Sequence, residues 1–135
     1  MTEITKLMCG AILLSVPTIE YGGFFLLSVL FGKYSEMGLN SFQKAMFRAG
    51  HAHAGVLVIL ALVAQILADY ATLSDGLLWF SRVGFPISAI LVSGGFFGAA
   101  AGKGREKPGP MIWILYAGVL LLAASLIILG IGLLR

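Results

Sequence analysis

The stretch MIWILYAGVLLLAASLIILGIGLL, from Met111 to Leu134, runs 24 residues without one charged side chain. An α-helix rises about 1.5 Å per residue, so this stretch is long enough to cross the roughly 30 Å hydrocarbon core of a bilayer. Lipid offers no partner to a backbone N–H or C=O, so a helix is the one form in which a single apolar segment can stand there. Working back along the chain, three more stretches have the same character: about Leu7 to Phe31, Ala45 to Tyr70 and Leu77 to Ala101. These four segments predict an all-α fold, an integral membrane bundle of four transmembrane helices. Short connections make consecutive helices antiparallel neighbours, so the bundle runs up and down as a single transmembrane domain over residues 1–135.

Composition agrees. Hydrophobic residues make up 59% of the chain and charged ones 11%, with a mean hydropathy of +1.00. Soluble domains carry about 25% charged residues, and a small soluble core leaves too much surface in water to hide this apolar excess. The lipid bilayer is therefore an obligatory partner. The net charge of +3 gathers on no single basic face, so a nucleic-acid partner is not expected. Cys9 stands alone, which rules out an intrachain disulfide and a thiolate metal cage. Lys6 and the apolar residues after it look like the start of a signal peptide. No small-residue cleavage site follows, and the apolar run continues to Phe31, so a first span is the better reading.

Helix punctuation sits where the spans meet water. Asn40 with Gln43 three residues on forms a capping box, and Ser74 is a candidate N-cap for the third helix with Asp75 in its first turn. GKGREKPGP, residues 102–110, breaks the chain, and Pro110 suits the first turn of the last helix. Pro17 and Pro86 fall inside spans, where each leaves one carbonyl without its helical partner. Gly22 and Gly23, and Ser93, Gly94, Gly95 and Gly98, allow close helix contact, within the chain or between copies in a homo-oligomer.

A charge in hydrocarbon costs at least about 2.5–3.5 kcal/mol on insertion scales, so the polar groups inside the spans point to function. Glu20 lies mid-span in PTIEYGG, residues 17–23. It reads either as a proton- or substrate-binding carboxylate, with Tyr21 beside it, or as a structural group bonded to Arg82, a histidine or a freed carbonyl. Both histidines lie in RAGHAHAG, residues 48–55. At about 100° per residue His51 and His53 point some 200° apart, so they cannot grip one small ion together. His51 shares a stripe with Gly55, Val58, Leu62, Gln65 and Asp69, which should face the bundle interior; His53 points away. Alanines and glycines leave the backbone around both imidazoles bare. A neutral imidazole there can serve as axial ligand to a haem iron, with Arg48 placed to pair a propionate. Tight helix packing with hydrogen-bonded histidines is the competing reading.

The pairing of PTIEYGG with RAGHAHAG resembles a group of bacterial four-span membrane proteins of this length, a likeness that implies no activity. More distantly, the size, the four spans and the Arg48…Ala52-His53-Ala54-Gly55 element resemble styrene oxide isomerase and hydroxylaminobenzene mutase. The resemblance to the isomerase family implies haem b bound by a helix-2 histidine at a subunit interface of a trimer. Its ferric iron would act as a Lewis acid in an isomerisation of a small lipophilic substrate. His53 matches the ligand position, while His51 is displaced by two. Those families carry an asparagine six residues after the histidine, where this chain has Ile59.

Three functions follow as expectations. The first is a haem b isomerase in which His53, or alternatively His51, ligates iron, Arg48 and Gly55 help hold the cofactor, and Glu20 or Tyr21 assists proton movement. The second is a proton-coupled transporter using Glu20, similar in outline to the small multidrug resistance exporters. The third is a membrane subunit without chemistry of its own.

Orientation comes from basic residues. Lys33, Lys44, Arg48, Lys103, Arg105 and Lys107 flank the first and third connections, against Lys6, Arg82 and Arg135 on the opposite side. Six against three predicts that connections one and three are cytoplasmic and both termini outside, in a bacterial inner membrane. Alkaline phosphatase fused after Arg135 should then be active, since it works only outside the cytoplasm. A cytoplasm-restricted reporter that lights up at the same position overturns the orientation.

Overall fold

Thr2, Asn40, Ser74 and Met111 stand at the N-caps of four helices: α1 (Glu3–Leu30), α2 (Ser41–Ala68), α3 (Asp75–Ala100) and α4 (Ile112–Leu133). A computed structural model describes residues 1–33 and 38–135, and among these there is no strand. At about 1.5 Å per residue the helices run from about 33 Å for α4 to about 42 Å for α1 and α2. All four are long and apolar enough to cross a membrane, and the chain is an integral membrane protein with an all-α four-helix bundle. Large apolar side chains on the outside, such as Leu14, Ile90, Trp113 and Leu120, are about 70% exposed or more, as lipid-facing residues must be.

The ends differ from the sequence-based spans in instructive ways. α1 starts at Glu3 and not near Leu7, because the Thr2 hydroxyl accepts a hydrogen bond from Thr5 N–H and starts the helix before its apolar part. The expected capping box of α2 is complete. Gln43 N–H donates to Asn40 Oδ1 at 2.9 Å and Asn40 N–H donates to Gln43 Oε1 at 3.4 Å. Ser74 caps α3 by position only, with no side-chain bond. Pro110 falls just before α4, with Met111 at the cap.

Each end of the bundle is tied by named bonds that establish the up-down course. At one end Gln43 Nε2 donates to the carbonyls of Ala100 (2.9 Å) and Gly102 (2.8 Å), and Asn40 Nδ2 donates to Arg105 O. These bonds take up an orphan carbonyl at the end of α3. Gly102 there holds φ +116°, a conformation that excludes a side chain. At the other end Thr72 N–H donates to Gly132 O at 2.7 Å, joining the second connection to the end of α4.

Small residues build the contacts between α3 and α4. Gly84 faces Ser125, Gly95 meets Leu115, and Gly118 lies against Leu91 and Val92. Gly98 is covered by Met111. So Gly95 and Gly98, two of the residues considered for contact between copies, are packed inside the chain, while Gly94 stays open. α3 packs along both α2 and α4, and α1 leans chiefly on α2.

The strongest tie is polar. Arg82, 4% exposed, places Nη2 2.7 Å from Asp69 Oδ1, and the Asp69 side chain is 8% exposed. Arg82 Nη1 donates to Thr5 Oγ1 (2.9 Å) and to Gln65 Oε1 (3.2 Å). Asp69 also accepts from the Thr5 and Thr2 hydroxyls, at 2.5 and 2.9 Å, and from Thr2 N–H at 2.8 Å. Gln65 Nε2 donates at 2.7 Å to Arg82 O, the carbonyl that Pro86 leaves without a helical partner. Arg82 therefore belongs to a buried ion pair and not to a connection. Burial alone would raise the Asp69 carboxyl. The bonds from Thr5, Thr2 and Arg82 outweigh it and hold the group, just past the end of α2, well below the usual carboxylate range. A lowered carboxylate stabilises the fold above its unfolded value of about 3.9 and loses that contribution as pH falls through the folded value.

Breaking a buried pair from one side leaves an uncompensated charge, at about 3–5 kcal/mol. Asp69→Ala should lower unfolding stability in mixed micelles by about that much. Asp69→Ala combined with Arg82→Met should recover most of the loss. A double variant as unstable as the two single losses added together would show that the pair is not the tie described.

Candidate functional site

The histidine segment sits in the first half of α2, and its neighbours divide it into two faces. Gly50 is buried where Phe96 and Phe97 of α3 close over it. His51 is half-buried on the other flank, its ring against Gly22 and Gly23 of α1. A Cβ on Gly23 would come within 3.1 Å of His51 Cε1 and Nε2. The paired glycines of α1 thus make the hollow in which this imidazole lies. The interior stripe expected for His51 is borne out further along, since Gln65 and the Asp69 side chain are buried.

His53 is exposed. Its Nδ1 lies 2.8 Å from Ala49 O, and its ring packs on Phe96 with centroids 4.9 Å apart and planes tilted by 32°. A carbonyl only accepts, so Nδ1 carries a proton, and in the neutral imidazole the lone pair is then on Nε2. This tautomer is the one metal-bound histidines adopt when a backbone carbonyl holds their other nitrogen. Next to His53 runs an outward stripe of Ala52, Val56 and Ile59, all exposed. Ile59, at the asparagine position of the resembling families, adds no polar group.

The other candidates lie elsewhere. Arg48 is exposed and lines a groove of about 180 Å³ between α1 and α2 with Lys44, Phe47 and Leu26. On the helix wheel Arg48 is about 60° from His51 and about 140° from His53, so it shares the flank of His51. Gly55 is half-buried, about 200° from His53, with open space where a Cβ would go. Glu20 and Tyr21 are both exposed on α1, and neither has a hydrogen-bond or ion-pair partner among the described residues. The structural alternative for Glu20, a bond to Arg82, is not made, because Asp69 occupies that guanidinium. No group of three or more metal-ligating side chains occurs among the described residues.

Sequence reading missed the Asp69–Arg82 pair. Part of its signal was present: Asp69 ends α2 and Arg82 lies two turns into its antiparallel neighbour α3, a depth that a long guanidinium side chain can span back toward the helix end. No protein family, characterised protein or solved structure matches the chain.

The packing of His51 on Gly23 makes a clear prediction. Gly23→Val should push α1 from α2 and cost about 1–3 kcal/mol. Adding His51→Ala should remove most of that loss, read from thermal unfolding in detergent. An equal loss with and without His51 would show that the two do not share this hollow.

Proposed function

We propose that this chain is a haem b-binding protein of the bacterial inner membrane, with both termini outside, and that His53 would hold the iron. The observation that carries the proposal is the bond from His53 Nδ1 to Ala49 O, which leaves Nε2 of the neutral ring free on an exposed, apolar face of α2. His51 is a poorer ligand, since α1 covers its ring. The residues fit the group at the iron and less well at its edge: Arg48 and Gly55 sit on other parts of α2. Propionates must therefore be met by another copy or by lipid headgroups. That requirement, with the open face at His53, supports a homo-oligomer, and the resemblance implies a trimer. The orientation is supported further by the place of Arg82, which lies inside α3 and not in a connection, so that only Lys6 and Arg135 remain as basic residues beside the termini and the second connection.

Ferric haem, when bound, would supply a Lewis acid for isomerising a small lipophilic substrate, as the resemblance implies. The chain's own part is to fix the imidazole. Ala49 O sets the tautomer, and Phe96 limits the tilt of the ring. The apolar stripe of Ala52, Val56 and Ile59 keeps water away.

Glu20 supports a second reading. A carboxylate without a partner among the described residues, on the outer surface at mid-span, has a use if copies meet there, as in a proton-coupled transporter.

Protein expressed with ample haem, or mixed with hemin after purification, should show a Soret band. His53→Ala should abolish it, and His51→Ala should keep it. A wild-type protein that shows no band and takes up no hemin sinks the haem reading, and proton-driven uptake dependent on Glu20 in proteoliposomes then becomes the deciding measurement.

A further inference from the structure

The groove that Arg48 lines runs between the last turns of α1 and the first turns of α2. Leu26, Val29 and Leu30 of α1 and Phe47 of α2 make its apolar part. Phe47 is braced by Phe97 of α3, with ring centroids 5.6 Å apart. Lys44 and Arg48 stand on the α2 wall, with Ser41 one turn before Lys44. At about 100° per residue these three positions fall within about 60° of one another, so two cations and a hydroxyl share one face of the helix.

That face keeps its charge. Lys44 and Arg48 are exposed, and neither forms an ion pair among the described residues. Other long basic side chains are engaged: Arg82 is held by Asp69, Lys6 by Glu3, and Arg105 Nε donates to Ala101 O. In sequence, residues 31–48 hold Lys33, Lys44 and Arg48 against the single acid Glu36, so a positive excess remains however Glu36 is used.

The depth of the two cations follows from the rest of α2. From Ala49 to Ala68 the helix carries no Asp, Glu, Lys or Arg. Those residues rise about 30 Å, the thickness of the hydrocarbon core. Arg48 therefore stands at the edge of the hydrocarbon and Lys44 one turn further out, at the level of lipid phosphates.

We infer that this groove binds an anionic phospholipid, its phosphodiester against Lys44, Arg48 and the Ser41 hydroxyl and the start of one acyl chain along the apolar part. Basic pockets between membrane helices suit such headgroups, and each Lys or Arg at this level strengthens the attraction about fivefold. A zwitterionic lipid brings its own ammonium beside the phosphate and cancels much of that gain. A free phosphate leaves the apolar part unused. The groove is separate from the exposed face of His53, so the site holds whether or not haem binds there, and in whichever leaflet the first connection lies.

The experiment titrates the protein in mild detergent with dioleoylphosphatidylglycerol or dioleoylphosphatidylcholine, which share their acyl chains. Lipid retained per chain is counted by native mass spectrometry. Wild type should retain the anionic lipid in preference to the zwitterionic one, and raised salt should weaken that preference. Lys44→Gln and Arg48→Gln should each cut it about fivefold. Lys103→Gln combined with Lys107→Gln removes two charges from the third connection and should leave it unchanged. Thermal unfolding of each variant checks that the fold is kept. Equal retention of the two lipids overturns the inference. So does a loss from the Lys103 and Lys107 changes as large as that from Lys44 and Arg48, since the charge of the whole end, and not the groove, is then responsible. Displacement of the lipid by an excess of inorganic phosphate overturns it as well, by showing a site for the free anion.

Discussion

A guanidinium cannot stay in a membrane interior without a counter-charge and a full set of acceptors, and Arg82 finds both in one place. Asp69 supplies the charge, Thr5 and Gln65 supply oxygens, and Gln65 in turn caps the carbonyl that Pro86 leaves free. These residues come from α1, α3 and the end of α2, so one cluster sets the relative height of three helices. Apolar packing cannot do this alone, because lipid tails are as apolar as leucine and drive no helix to a particular register. The glycine contacts between α3 and α4 then fasten the fourth helix by shape.

Span number, helix type and the up-down course were legible because they follow from length and hydropathy, which lipid makes strict. The capping box at Asn40 was legible for the same local reason. What periodicity reported about α2 was also sound: Gln65 and Asp69 face inward. It could not say which helix lies opposite. Hence Glu20 was weighed as a partner of Arg82, when the carboxylate across the short second connection holds it. The glycines of α1 show the same limit. Their smallness was evident, yet only the packed chain shows that the space is filled by His51.

The candidate site was legible residue by residue, and less so as a constellation. The two histidines do diverge as the helical period requires, one under α1 and one exposed on Phe96. Arg48 was linked to them by closeness in sequence, but a helix separates positions five apart by about 140°. The bond that decides the His53 tautomer runs to a backbone carbonyl one turn earlier, and nothing in the residue types announces it.

The polar cluster also constrains how the chain enters the bilayer. Thr5 and Asp69 leave the ribosome before Arg82, so the acceptors, at the start of α1 and just past the end of α2, precede the basic helix along the chain. α3 is then inserted next to a waiting carboxylate and does not have to carry a bare cation through hydrocarbon. The order of residues along the chain thus matches the order in which charge must be neutralised, and a permuted chain that delivered α3 first would meet the full desolvation barrier before its partner existed.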